Sequence, residues 1–167
     1  MILVVDDQPI FRALFSTALE VAGYPVRTAK YGSEAIPQIQ DHRPSLIVLD
    51  YTLLDMSCAD FLRWLRQEFP TEPVPVILGL AMYTEAALRD IRDYHVEDYF
   101  AKGAYHPDDL RHRVERIRGD RVLDRHIAEI MRRRIMVEPV IEILQRKAAA
   151  ELQAKYRAKI MRRAAVS

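Results

Sequence analysis

The sequence predicts an α/β fold: a doubly wound, five-stranded parallel sheet followed by an α-helical tail. Five short apolar runs recur along the first part of the chain, with stretches of amphipathic helical spacing between them. Runs that are apolar on both faces, such as LIVL at 46–49 and VPVIL at 74–78, are typical of parallel strands covered by helices on both sides. Strand and helix therefore alternate, which favours the doubly wound arrangement.

The predicted strands are short and end at turn or acidic residues. They are Ile2 to Val5, Pro25 to Thr28, Leu46 to Leu49, Val74 to Leu78 and Val96 to Phe100. Apolar residues at helical spacing predict four helices between them, with these residues on the buried faces: Ile10, Leu14, Ala18 and Val21; Ala35, Ile36 and Ile39; Phe61, Leu62 and Leu65; Ala87, Leu88 and Ile91. A fifth helix is predicted from Pro107 to about Arg118, because proline and the acids after it suit a helix N-terminus.

The rest of the chain differs in pattern and in charge. No strand pattern follows Gly119, and two helical stretches are predicted, about 120 to 137 and about 139 to 163, separated near Pro139. Through Arg118 the chain has 13 Lys and Arg against 18 Asp and Glu, whereas from Gly119 onward it has 12 against 6. We therefore predict a first domain over 1–118 and a basic helical extension over 119–167.

Composition limits the class of protein. A hydrophobic share of 50% and a charged share of 29% are typical of a globular chain. The single cysteine, Cys58, leaves no internal disulfide and no cysteine metal cage, which fits a reducing compartment. The opening MILVVDD has neither the basic start and apolar segment of a signal peptide nor the length of a membrane span. These observations predict a cytoplasmic protein without a membrane anchor.

Charged residues follow three of the predicted strands. Asp6 and Asp7 end the first strand, Asp50 ends the third, and Lys102 follows the fifth. Ligands of a doubly wound sheet bind beyond the carboxyl ends of its strands, so these side chains are expected to share one pocket. Grouped carboxylates favour a small hard cation such as Mg²⁺. A cation, an ammonium and a carboxylate nucleophile together suit phosphoryl transfer to an aspartate.

Four segments in this order, ILVVDDQPIFR, LIVLDYTLLDMS, PVILGLA and DYFAK, resemble the receiver domain of bacterial two-component response regulators, the CheY-like family with a flavodoxin-like fold. The resemblance covers residues 1 to about 118. It implies that Asp50 is the phosphoacceptor and that Lys102 contacts the phosphate. It also implies an Mg²⁺ site of Asp6, Asp7, Asp50 and the Thr52 backbone carbonyl, and a chain that catalyses its own phosphorylation and dephosphorylation.

The sequence departs from the family pattern at the switch. Leu80 stands where receivers usually carry Ser or Thr, so the usual coupling to the aromatic at Tyr99 is open to question. Gly103 replaces the proline after the lysine, and Leu54 and Cys58 replace Pro and Gly of the acceptor loop. Leu80 is expected either to fill the core or to mark a lost switch.

The function that the resemblance implies is signalling through protein contacts, with a histidine kinase or phosphotransfer protein as phosphodonor. Two other classes stay open: a receiver-like scaffold that is not phosphorylated, and a haloacid-dehalogenase-like phosphotransferase, for which Thr52 replaces the required second Asp. The five histidines show no metal-ligand spacing and are expected on the surface or on helix faces.

Besides being a loosely ordered helix or the remnant of a longer output module, the extension has three possible roles. Its apolar stripes predict a homodimer or a partner-docking arm, because a lone amphipathic helix is marginal in water. Its basic run from Met131 to Arg134 is compatible with nucleic acid binding, which the absence of a helix-turn-helix pattern disfavours. A third possibility is that the basic extension folds onto its own acidic receiver, and added salt should weaken that contact.

Overall fold

The computed structural model describes residues 1–104, 106–118 and 142–154. The strands are β1 (Ile2–Val5), β2 (Val26–Ala29), β3 (Leu46–Asp50), β4 (Val76–Leu80) and β5 (Asp98–Ala101). The helices are α1 (Pro9–Val21), α2 (Gly32–Asp41), α3 (Cys58–Glu68), α4 (Glu85–Asp93), α5 (Pro107–Arg118) and α6 (142–154). A short 3₁₀ turn, Lys102–Ala104, connects β5 to the segment before α5.

The five strands form one parallel sheet in the order β2-β1-β3-β4-β5. The three central strands are buried along their whole length, as expected for parallel strands with helices on both faces. The predicted doubly wound α/β fold is therefore confirmed. Because β1 and β3 are neighbours, the residues that follow them lie side by side at the carboxyl edge.

The core consists of two layers, one on each face of the sheet. On one face, buried residues of α2, α3 and α4 pack against the sheet, among them Ile39, Phe61 and Ala87. On the other face, α1 and α5 contribute Phe15, Leu110 and further apolar side chains. The helices thus cover the two faces of the sheet, and its carboxyl edge is left to the side chains that follow the strands.

Three strands begin later than predicted. β4 spans Val76–Leu80 rather than Val74–Leu78, because Pro75 has no N–H to donate to the ladder and can only accept from Ile47 N, 2.9 Å from its carbonyl oxygen. The shift brings Gly79 into the strand, paired in register with Asp50. β2 and β5 also begin later than predicted, at Val26 and Asp98.

The described part of the extension is α6. Ala148 is 1% exposed and belongs to the core layer on the α1 and α5 side, with Leu144 and Leu152 packed against the same layer. This helix lies within the second predicted helical stretch, whereas the stretch over 120–137, the break at Pro139 and residues 155–163 lie outside the described residues. Among the residues described, no helix is long and apolar enough to cross a membrane.

Candidate functional site

Three carboxylates converge at the carboxyl edge of the central strands. Asp6 and Asp7 follow β1, and Asp50 is the last residue of its neighbour β3. Each side chain offers one oxygen to a cluster whose atoms lie within 4.8 Å of one another. The exposed fractions are 1% for Asp6, 6% for Asp7 and 3% for Asp50. All three carboxylates are therefore buried and do not face solvent.

Lys102 completes the cluster from the far side of β4. Its Nζ lies 2.6 Å from Asp6 Oδ2 and 2.8 Å from Asp50 Oδ2, and the side chain is buried with them. The lysine reaches β3 by passing over β4 at Gly79, where a Cβ would lie 3.1 Å from Lys102 Cε. Sequence reasoning missed Gly79, although a glycine inside the apolar run VILGL is a signal for a close approach.

An aromatic ring lies beside the same ammonium. Lys102 Nζ is 4.7 Å from the centre of the Phe11 ring, within the range of a cation–π interaction. Phe11 is 1% exposed and lies in the first turn of α1, four residues after Asp7. Sequence reasoning also missed this residue, which was not among those predicted for the buried face of the first helix.

Backbone amides fix the orientation of two carboxylates. Gln8 N donates to Asp6 Oδ1 at 2.9 Å, and Thr52 N donates to Asp50 Oδ1 at 3.0 Å. Arg12 Nη1 donates to the Asp6 carbonyl oxygen at 2.6 Å and ties the start of α1 to the loop. In both carboxylates the other oxygen, Oδ2, is the one beside Lys102. The site is thus held before any ligand arrives.

Burial and like charge dominate the electrostatics of Asp6. Burial, together with the Asp50 carboxylate, raises the pKa of Asp6 to about 6, although Lys102 opposes the shift. Burial alone would lower the pKa of Lys102, but Asp50 and Asp6 outweigh it and raise that pKa above its ordinary value. The ammonium therefore stays charged between carboxylates that repel each other.

The donor set fits a small hard divalent cation. Carboxylate oxygens are the ligands that Mg²⁺ takes, and an octahedral site with oxygens about 2.1 Å from the ion spans about 4.2 Å between opposite ligands. The three carboxylate oxygens lie within 4.8 Å of one another, close enough for one ion to contact all of them. Asp6, Asp7 and Asp50 would hold the ion, and Thr52 adjoins them through its hydrogen bond to Asp50.

The switch positions occupy different environments. Leu80 ends β4 and is fully buried in the core layer of α2, α3 and α4, so it packs as an apolar core residue. Tyr99 on β5 is 37% exposed, and its ring meets Tyr83 edge-on with centroids 5.7 Å apart. Leu80 has no hydroxyl with which to bond a phosphoryl oxygen.

The surrounding loops are tied to neighbouring helices. Asp55 accepts from the backbone amides of Gly32 and Ser33 at 3.1 and 2.8 Å, at the start of α2. Tyr51 donates its hydroxyl to Asp90 Oδ2 of α4 at 2.9 Å. The loop after Asp50 is therefore anchored despite the departures at Leu54 and Cys58. His42, His95, His106 and His112 are exposed, as predicted, and His126 lies outside the described residues.

The fold and the paired acids at its carboxyl edge define the receiver class of signalling domains. Residues 2–115 match the model of the response regulator receiver domain family, and the chain belongs to that family.

Individual relatives span different shares of the chain. The polar-differentiation response regulator DivK of Brucella anthropi is 29% identical over 101 residues, 60% of this chain and 82% of DivK. The probable transcriptional regulatory protein TcrX of Mycobacterium tuberculosis is 45% identical over 73 residues, 44% of this chain but 31% of TcrX. This chain thus matches less than a third of TcrX.

Solved structures agree with the fold. The receiver domain of NtrX from Brucella abortus is 29% identical, with a TM-score of 0.63, over 70% of this chain and 96% of that one. The chemotaxis protein CheY4 of Vibrio cholerae is 24% identical, with a TM-score of 0.64, over 69% of this chain and 95% of that one. The similarity to CheY4 shows the fold alone.

Proposed function

We propose that this chain is a two-component response regulator whose receiver accepts a phosphoryl group on Asp50. The donor is a histidine kinase or a phosphotransfer protein, the reaction depends on Mg²⁺, and the signal passes on through protein contacts in the cytoplasm. Family membership over residues 2–115 supports this function. The observation that carries the proposal is the buried pair of Asp50 Oδ2 and Lys102 Nζ, 2.8 Å apart, inside a carboxylate cluster.

Phosphoryl transfer from the donor imidazole to Asp50 needs no oxidant and no further reactant. An oxygen of the Asp50 carboxylate attacks the donor phosphorus, an O–P bond forms, and the P–N bond to the donor imidazole breaks. The electron pair of that bond stays on the imidazole nitrogen, and the aspartate becomes an acyl phosphate. Hydrolysis by water later returns the carboxylate and inorganic phosphate. The hydrogen bond from Thr52 N to Oδ1 fixes the orientation of the Asp50 carboxylate for this attack.

Lys102 and the acids have different electrostatic roles in this reaction. When bound, Mg²⁺ neutralises charge on the phosphoryl oxygens and the nucleophile. Asp6, Asp7, Asp50 and the Thr52 backbone carbonyl would hold it. The Lys102 ammonium, already charged and buried, would transfer its ion pairs from the carboxylates to the incoming phosphoryl oxygens. Phe11 and Gly79 shape the space in which this ammonium moves.

Intact-mass measurement tests the proposed function. The chain is incubated with a small phosphodonor such as phosphoramidate, with MgCl₂ or with EDTA. The expected result is a gain of one phosphoryl group that needs Mg²⁺, is lost in Asp50→Asn, and persists in the control Asp93→Asn, an exposed acid at the end of α4. A gain that survives in Asp50→Asn, or no gain under any condition, would contradict the proposal.

Leu80 favours a second candidate function, a receiver-like scaffold that is not phosphorylated. Its fully buried side chain fills the position from which a hydroxyl would report phosphorylation to the rest of the domain. Titration with MgCl₂ separates the two functions. The phosphoacceptor requires cation binding that Asp7→Ala weakens, whereas a scaffold has no such requirement.

The contacts of α6 bear on oligomerisation. Leu144, Ala148 and Leu152 lie on the apolar stripe that predicted a homodimer, and they pack on the core of their own chain. For this segment we therefore propose intramolecular docking in place of a dimer contact. Light scattering of the full chain is expected to give the mass of one chain, and the mass of two would restore the homodimer.

A further inference from the structure

Helix α6 docks on the receiver through an apolar contact. Ala148 is as buried as the sheet itself, at 1% exposed, and Leu144 and Leu152 pack on the layer that contains Phe11 and Leu14 of α1. The charged side chain Arg146 pairs within the helix, with Glu142 at 2.6 Å, and is largely exposed. The packing of Leu144, Ala148 and Leu152 is apolar and should persist at high salt, unlike the charge-driven docking considered from the sequence.

The docked helix lies near two residues that adjoin Lys102. On one side, the layer on which α6 packs includes Phe11, whose ring lies 4.7 Å from Lys102 Nζ. On the other side, Leu152 Cδ2 lies 3.8 Å from the position that a Cβ would take at Gly103, the residue after the lysine. A cavity of about 310 Å³ between α6 and α1 is lined by Phe11, Lys102, Gly103 and Ala148, among others.

The position of Lys102 conflicts with cation binding. Its ammonium lies 2.6 Å from Asp6 Oδ2 and 2.8 Å from Asp50 Oδ2, and both carboxylates belong to the donor set of the proposed cation site. A divalent ion that takes these Oδ2 atoms would lie close to the ammonium and repel it. Ion binding through Oδ2 therefore requires the ammonium to move away from these atoms, and a helix packed near the Lys102 turn and the Phe11 ring opposes that movement.

We propose that α6 is an autoinhibitory clasp, which holds Lys102 against Asp6 and Asp50 and so lowers the affinity of the carboxylate cluster for Mg²⁺. This inference rests on the proposed function for the identity of the ion. Coupling between two binding events is reciprocal, so ion binding must loosen α6 by the factor by which α6 weakens ion binding. Release of the helix by a partner would then prepare the site for phosphoryl transfer.

Two glutamate substitutions on the same helix provide the test. Ala148→Glu places a carboxylate on the buried side and releases α6, whereas Ala150→Glu adds the same charge at an exposed position. Leu152→Glu removes the contact over Gly103 and serves as a second release variant. Mg²⁺ affinity is measured by calorimetry on the full chain. Hydrogen–deuterium exchange of residues 142–154 with and without MgCl₂ reports release of the helix, and circular dichroism reports folding.

The clasp predicts a specific pattern. Ala148→Glu and Leu152→Glu should bind Mg²⁺ at least about fivefold more tightly than the unmodified chain, the low end of typical coupling, and Ala150→Glu should not differ from it. In the unmodified chain, Mg²⁺ should speed exchange in 142–154. Equal or weaker Mg²⁺ binding after helix release would overturn the clasp and leave the phosphoacceptor intact. Failure of every variant to bind Mg²⁺ would contradict the cation site and the clasp together.

Discussion

Replacing Asp6 with asparagine is expected to stabilise the folded chain at neutral pH while weakening Mg²⁺ binding. The pKa of this buried carboxyl rises from 3.8 to about 6 on folding. Because one pKa unit corresponds to about 1.4 kcal/mol, ionised Asp6 lowers the free energy of unfolding by about 3 kcal/mol at pH 7.5. Asparagine has nearly the same shape and does not ionise, so the variant avoids that cost.

The sign of the pH dependence follows from the raised pKa. The folded chain binds this proton more tightly than the unfolded chain, so the favourable contribution of Asp6 is complete below pH 3.8 and is lost as pH rises through about 6. The advantage of Asp6→Asn should therefore shrink to about 1 kcal/mol at pH 4.5. The measurement is urea denaturation in EDTA at both pH values, with the exposed Asp41→Asn as control.

The control should change the free energy of unfolding by less than about 0.5 kcal/mol at either pH. A destabilised Asp6→Asn at pH 7.5 would show that the Lys102 ion pair outweighs burial of the carboxylate. An advantage of equal size at both pH values would show that Asp6 does not titrate in this range. Either result would refute the electrostatic reasoning for the site.

Three further substitutions test the packing beside Lys102, the N-terminal cap of α3 and the hydrophobic core. Gly79→Ala should lower the free energy of unfolding by about 1–3 kcal/mol by overpacking and slow phosphorylation, because the added Cβ would lie 3.1 Å from Lys102 Cε; urea denaturation and the rate of phosphoryl gain measure the two effects. Ser57→Ala should cost about 1 kcal/mol in urea denaturation, because its hydroxyl caps α3 by accepting from Asp60 N at 3.0 Å. Leu62→Ala should cost about 2–5 kcal/mol in the same assay, because the side chain is fully buried.

Each substitution has an outcome that would count against its reasoning. An unchanged phosphorylation rate in Gly79→Ala would mean that Lys102 does not need the path over β4. A loss as large in Ser57→Ala as in Leu62→Ala would mean that more than a helix cap was removed. A cost below about 1 kcal/mol for Leu62→Ala would place that side chain outside a tightly packed core.

The sequence predicted the sheet because its central strands are buried on both faces, which leaves continuous apolar runs. The boundaries of β4 were harder, since the ladder partner of each residue depends on tertiary register and Pro75 interrupts donation. The helix from Pro107 to Arg118 was found because proline and acids mark its start locally. The sequence thus predicted correctly those elements whose residue pattern or end signals lie in the element itself.

The candidate site divides in the same way. Asp6, Asp7, Asp50 and Lys102 could be placed together because the carboxyl ends of parallel strands share one edge. The glycine in VILGL signals a close approach without identifying its partner, and Phe11 gives no signal, because the contacts of both with Lys102 depend on the path of one side chain across β4. Docking of the extension onto the receiver was one of several possibilities from the sequence, since an apolar stripe shows that a helix needs cover but does not identify the surface that supplies it.

The most direct test of phosphoryl acceptance is to locate the modified residue. After reaction with phosphoramidate, borohydride reduction converts an acyl phosphate into a stable alcohol that peptide mass spectrometry can place in the chain. We predict that the mark lies on Asp50 alone and forms only when Mg²⁺ is present. A mark on Asp6 or Asp7, or on Asp50 in the presence of EDTA, would contradict the assignment of nucleophile and cation ligands.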